Sequence, residues 1–127
     1  SREEDLIKAQ QKSVYNLIKN LTKWIVLREL KNDGQYIERL LERLLVEIQS
    51  RSNMLVQVNE NDFAQMPEVL DAMKRKLGEL TNVRVEVDSA IESSGIIIES
   101  ENGIINATLE EQMNSIEKLF EEVGFES

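Results

Sequence analysis

"SGIIIESENGIINATLEEQM", residues 94–113, decides how this chain folds. Two apolar runs, Ile96–Ile98 and Ile104–Ile105, flank Glu101-Asn102-Gly103. Asn-Gly between apolar runs predicts a β-hairpin, because both residues tolerate positive φ. Thr108 then stands three residues before Glu111, the pattern of a capping box that starts a helix. The last helix therefore leaves the sheet directly, with Leu109, Met113, Ile116 and Phe120 as its core face and Gly124 as its end. Alternation places Ile96 and Ile98 in the core and turns Ile97 to the opposite sheet face.

Upstream, "VRVEV" at residues 83–87 alternates strictly, with Val83, Val85 and Val87 on one side and Arg84 and Glu86 on the other. That is a half-buried strand. "NMLVQV" at 53–58 is a second strand, rich in β-propensity residues. Between them a helix starts near Asn61 or Asp62. A short turn precedes its main run, Pro67 sits in the first turn of that run, and Gly78 ends it. Val69, Leu70, Met73 and Leu77 form its apolar face.

The N-terminal half is helical. Residues 3–31 form one long helix, with Ile7, Val14, Leu17, Ile18, Leu21, Trp24 and Ile25 on one side. Ile7, Val14 and Leu21 are seven apart, as are Leu17 and Trp24, which gives about two heptads of a coiled-coil-like seam. We expect residues 17–30 to pack on the chain's own core and residues 5–16 to meet a partner helix. "KNDGQ" closes the helix, with Gly34 as a left-handed terminator. A second helix follows over 35–50, its apolar face made of Ile37, Leu40, Leu41, Leu44, Leu45 and Ile48. The element order is α-α-β-α-β-β-β-α. The fold class is α+β: a long N-terminal helix and helical hairpin, then a small mixed β-sheet covered by helices.

At 127 residues with 41% apolar content, the chain can bury one modest core. The first residue is Ser rather than Met, as expected of a fragment or a processed start, and the polar "SREEDLIKAQQK" is no signal peptide. No apolar run approaches membrane length, so no membrane insertion is expected. The net charge of −9 is uneven. Residues 1–85 hold 14 basic and 13 acidic residues, whereas residues 86–127 hold 1 basic and 11 acidic. Nucleic acid needs a basic face, which the acidic third does not offer. That third suits either solubility or a basic protein partner.

The chain has no His and no Cys, and so lacks the commonest general base and the commonest thiolate and imidazole ligands. No phosphate loop, dinucleotide fingerprint or nucleophile elbow occurs. No catalytic, cofactor-binding or metal-binding residue is assigned, and no enzyme activity is expected.

"RVEVD" followed by "SSGIIIESENGIINATLEEQM" resembles the C-terminal domain of the flagellar assembly protein FliH family. The matching pieces are Val83 to Asp88, Ser94-Gly95, Ile96 to Ser100, Asn102-Gly103, Ile105-Asn106-Ala107 and Gln112. Upstream, Arg28-Glu29-Leu30, the Leu-rich helix 37–48 and "VQVNENDF" match in layout. The family's Asn-Pro-x-Asp has Glu60 in place of Pro, its double Gly is Ser94-Gly95, and its Asp after the hairpin is Asn106. The same fold is shared with virulence type III secretion stators and with a peripheral-stalk component of vacuolar-type rotary ATPases.

The resemblance implies a non-catalytic component of flagellar type III export. Such a protein binds the N-terminal region of the export ATPase FliI, restrains its hydrolysis and tethers it to the export gate and rotor-side ring. It works in the cytoplasm, at the inner-membrane export apparatus. Residues 1–16 would be the end of a dimerising coiled-coil helix, with Ile7, Val14, Leu17 and Leu21 continuing the homodimer seam. Residues 17–127 would be the ATPase-binding domain, with Ile97, Glu99, Glu101, Glu110, Glu117 and Glu121 toward the partner. The alternatives are a stator of a virulence secretion system or of a rotary ATPase, and, from another class, a small hydrolase or nucleotide-binding domain. A nucleotide titration is expected to leave the melting temperature unchanged; a ligand-dependent rise would favour the last alternative.

Overall fold

The computed structural model describes residues 1–48 and 52–122. Helix α1 spans Arg2–Lys31 and α2 spans Tyr36–Glu47. Strand β1 (Ser52–Val58) is followed by the short α3 (Glu60–Phe63), α4 (Met66–Leu77) and β2 (Thr81–Val87). Strands β3 (Ile96–Ser100) and β4 (Gly103–Ala107) lead into α5 (Leu109–Glu122). The expected order holds, with the turn before Pro67 formed as α3. α2 ends at Glu47, with Ile48 already extended, short of the expected 50, whereas the end expected for α5 at Gly124 lies outside the described residues. The chain divides into two units, one of Ser1–Asp33 with the chain from Gln112, the other Gly34–Glu111.

In the second unit the sheet order is β2-β1-β3-β4. β1 runs parallel to β2, which requires the α3–α4 crossover between them. β3 is antiparallel to β1 and to β4. Register aligns Val85, Val56, Ile98 and Ile105 in one row across all four strands. Val56, Val58, Ile96 and Ile98 are fully buried, as the alternation predicts. Onto this face pack Ile37, Leu41, Leu44 and Leu45 of α2, and Met66, Val69, Ala72 and Met73 of α4. Each fully buried large side chain here contributes about 1.5–3 kcal/mol. Lys76 of α4 bridges Glu42 at 3.3 Å and Glu38 at 3.7 Å on α2, joining the two helices at their exposed rim.

Turn chemistry differs in two places from the sequence reading. Gly34 does not adopt a positive φ. Instead α1 ends with Asn32 in a right-handed conformation, its N–H donating to the Glu29 carbonyl at 3.1 Å and the Asp33 N–H donating to the Leu30 carbonyl at 3.2 Å. In the hairpin only Gly103 takes positive φ, at 125°, and Asn102 does not. The Ser100 hydroxyl holds that turn, accepting from the Asn102 N–H and donating to the Gly103 carbonyl, each at 3.3 Å. Gly78 ends α4 as expected, at φ 95°.

The loop 88–95 is pinned from α3. Asn59 Nδ2 donates to the Ile91 carbonyl at 2.7 Å, and the Ser94 N–H donates to Asp62 Oδ2 at 2.7 Å. Asp62 is the buried charged residue among those described. The Asn-x-x-Asp spacing after β1 therefore has a structural purpose. It also explains the small pair that follows. Ser94 sits at φ 71°, a conformation costly for a side chain with a Cβ. A Cβ on Gly95 would meet Ile91 Cγ2 at 2.9 Å and the Glu92 carbonyl at 3.1 Å. Replacing Ser94 by Gly is expected to stabilise the chain by about 1 kcal/mol. Replacing Gly95 by Ala should cost about 1–3 kcal/mol. Denaturant melts of the two variants read both signs; equal or reversed shifts would contradict this account of the loop.

Candidate interaction surfaces

α2 and α4 both pack on the same sheet face, so neither covers the opposite one. Its register brings Arg84, Leu55, Glu99 and Ile104 into one row and Glu86, Gln57, Ile97 and Asn106 into the next. Leu55, Gln57 and Ile97 are half-buried by their neighbours, and Ile104 is 69% exposed. An apolar centre with an acidic rim results: Glu86, Glu99 and Glu101 are exposed, with Arg84 as the single basic member of the two rows.

One end of this face is organised by a polar ladder. Asn82 Nδ2 donates to Asn53 Oδ1 at 2.8 Å, and Asn53 Nδ2 donates to Glu101 Oε1 at 3.0 Å. Both asparagines have φ of 54°, a conformation that Asn tolerates better than most residues. The ladder borders an open hollow of about 380 Å³ lined by Leu55, Arg84 and Glu99. Sequence reading missed it, because positive φ at a strand's second residue leaves no periodic signal.

Of the six residues expected to face a partner, Ile97, Glu99 and Glu101 share this surface. Glu110, Glu117 and Glu121 lie on α5. Glu110 and Glu121 are exposed there, whereas Glu117 is half-buried. It is not a free acid for a partner, since Lys19 Nζ of α1 lies 3.3 Å from its Oε2. At the start of α5 Thr108 Oγ1 accepts from the Glu111 N–H at 3.3 Å, the threonine half of the expected capping box, while Asn106 Oδ1 accepts from the Thr108 N–H at 3.0 Å and hydroxyl at 2.7 Å. Only an acceptor is used at position 106, so the family's Asp would serve equally. Leu109 is buried and Met113 half-buried, but Ile116 is 44% exposed rather than part of a core face. The Phe120 side chain lies outside the described part of the chain.

In the first unit α1 has two unlike sides. Tyr15, Lys19, Lys23, Val26, Leu27 and Leu30 are half-buried. About 100° per residue places them on the opposite side from Ile7, Val14, Leu17, Ile18, Leu21, Trp24 and Ile25. Each of those seven is exposed, by 47% to 58%. The expectation that residues 17–30 pack on the chain's own core is thus corrected. The covered side is the lysine-bearing one, which meets acid on α5, and the apolar side is left over. Arg28 stacks on Trp24, its guanidinium carbon 4.9 Å from the ring centroid.

Among the described residues no group of three or more His, Cys, Asp or Glu is placed to hold a metal ion. No described helix is long and apolar enough to cross a membrane.

The family model of the flagellar assembly protein FliH matches residues 2–116. The chain belongs to the FliH family. It is also 22% identical over 97 residues to a type 3 secretion system stator protein of Yersinia enterocolitica. That match covers 74% of this chain and 44% of the relative, so the chain spans less than half of that protein's length. Both relationships place this FliH-family chain among type III export components.

Within the open face, the ladder makes a local stability prediction. Asn53→Ala removes the link to Glu101 and puts a Cβ-bearing residue without a polar side chain at positive φ, which should cost about 1–2 kcal/mol. Asn53→Gly removes the same link without the backbone penalty and should cost less. Thermal melts ranking Gly below Ala in stability would contradict it.

Proposed function

We propose that this chain is the ATPase-binding part of a flagellar export component. It holds the N-terminal region of the export ATPase FliI, restrains its hydrolysis and tethers it at the cytoplasmic side of the export apparatus. The observation that carries this reading is the FliH family match across residues 2–116. The open sheet face supports it: Ile97, Leu55 and Ile104 offer apolar area to an amphipathic helix, and Glu99 and Glu101 suit a basic flank. The reading gives Glu110 and Glu121 an accessory role, and Glu117 a structural one. Contacts to the export gate and rotor-side ring belong to other segments of such a protein. In this reading the chain has no catalytic residues and acts through binding alone.

Residues 1–16 are proposed as the end of a dimerising helix and residues 17–127 as the ATPase-binding domain. The exposed positions Ile7, Val14, Leu17 and Leu21 support a homodimer seam that extends further to Trp24 and Ile25. Replacing Val14 and Leu21 with Asp should abolish the dimer held by α1 in sedimentation experiments at low micromolar concentration, while leaving the circular dichroism unchanged. An unaltered dimer would remove the seam from the interface.

The similarity to the Yersinia stator protein favours a second reading, in which the partner is the ATPase of a virulence secretion system. Binding to each system's ATPase, with and without its N-terminal segment, separates the two. The cognate flagellar ATPase should bind, lose binding without that segment, and weaken as salt rises. Glu99→Lys with Glu101→Lys should weaken binding about tenfold or more at low salt. No binding to the flagellar ATPase by a chain that is dimeric would overturn the first reading, and unchanged salt dependence would overturn its electrostatic part.

A further inference from the structure

We propose that β2 is a second self-association site, at which two copies pair edge to edge as antiparallel strands centred on Val85. This inference stands apart from the ATPase reading. β2 is an edge strand, with β1 on one side only. It contains neither Pro nor Lys, two residues that commonly block edge pairing. Its charges are instead arranged so that a second copy satisfies them. Arg84 and Glu86 point to the open sheet face, on either side of Val85. In an antiparallel pair with Val85 opposite its own counterpart, Arg84 of each copy lies opposite Glu86 of the other. Opposite charges in such directly facing positions stabilise a strand pair. On the other face, Val83 of each copy meets Val87 of the other.

Register discriminates strongly. Sliding the pair so that Arg84 meets itself, or Glu86 meets itself, sets like charges face to face at the two-fold axis. Only the Val85-centred register makes both cross-strand charge pairs attractive. The residues are available for it. In the isolated chain Arg84 and Glu86 approach only to 4.0 Å, with side chains 68% and 52% exposed. Val87 is 44% exposed. Beside the edge lies an apolar hollow of about 290 Å³ lined by Val85 of β2, Phe63 of α3, and Met66, Pro67 and Leu70 of α4. Phe63 is 43% exposed there. A strand added to β2 would cover this hollow with its valine side. The interface is isologous, so it closes on itself as a two-fold pair. Combined with a separate two-fold seam on α1, it would build tetramers or open chains rather than stop at a dimer.

The test isolates the edge from the α1 seam. The full chain carrying Val14→Asp and Leu21→Asp, two exposed positions, is followed by sedimentation from about 10 μM to about 1 mM, a range that reads modest affinities. The expected result is reversible dimerisation. Adding either Arg84→Glu or Glu86→Arg alone should weaken it about tenfold or more. Mixing those two single variants should restore it, although both remain acidic overall, and so should the double exchange within one chain. Failure of the seam variant to self-associate would overturn the proposal. So would a dimer indifferent to the single reversals, or a mixture no stronger than either variant alone. Circular dichroism of each variant establishes that it is folded.

Discussion

The second unit depends on the row Val85–Val56–Ile98–Ile105, which crosses all four strands at one level. β1 is the centre of that row, bonded in parallel to β2 and antiparallel to β3. Its side chains alternate, so Met54, Val56 and Val58 must all point to the helices while Leu55 and Gln57 point away. A slip of one residue would reverse both sets and expose the core. Both α2 and α4 therefore commit to one face, and the other face is left with Leu55, Ile97 and Ile104 in a polar and acidic setting. The same arrangement leaves β2 with one unpaired edge. Surface for partners is thus a consequence of how this small core is built.

Charge follows a parallel logic. The acidic C-terminal third divides by position: some acids sit on the open face, and Glu117 is used within the chain by Lys19. An ion pair at that exposure stabilises by only about 0–1 kcal/mol. Its value lies in orientation, since it helps settle which side of α1 is covered. With the lysine-bearing side occupied, the side from Ile7 to Ile25 is left exposed. That is the pattern expected of a helix that has part of its packing partner elsewhere.

The core was legible because period-two alternation reports burial directly. The placement of Ile96, Ile98, Val83 and Val85 followed from it, and Thr108 with Glu111 marked the start of α5. The face of α1 was not legible in the same way. An amphipathic pattern shows which side is apolar, but not whether the same chain supplies the cover. Placing residues 17–30 in the core assumed that it does, and the exposed Leu17, Leu21 and Trp24 show otherwise. Backbone sign was equally hidden. Gly34 and Asn102 have the composition of left-handed residues, yet Ser94, Asn53 and Asn82 carry the positive φ angles. Those angles are imposed by tertiary hydrogen bonds, such as Asp62 to Ser94, whose partners lie about thirty residues apart. The resemblance to the FliH family, carried by residues 94–112, agreed with the family model. The engagement of Glu117 by Lys19, nearly a hundred residues away, leaves no such trace in the sequence.

The central claim is that one sheet face holds the core and the other meets the partner. Methyl spectra of the isoleucine- and leucine-labelled chain, recorded as the cognate export ATPase is added, test it most directly. The account predicts that Leu55, Ile97 and Ile104 shift or broaden while Ile96 and Ile98 stay in place. Perturbation that spares those three and falls on α5 or α1 instead would contradict it.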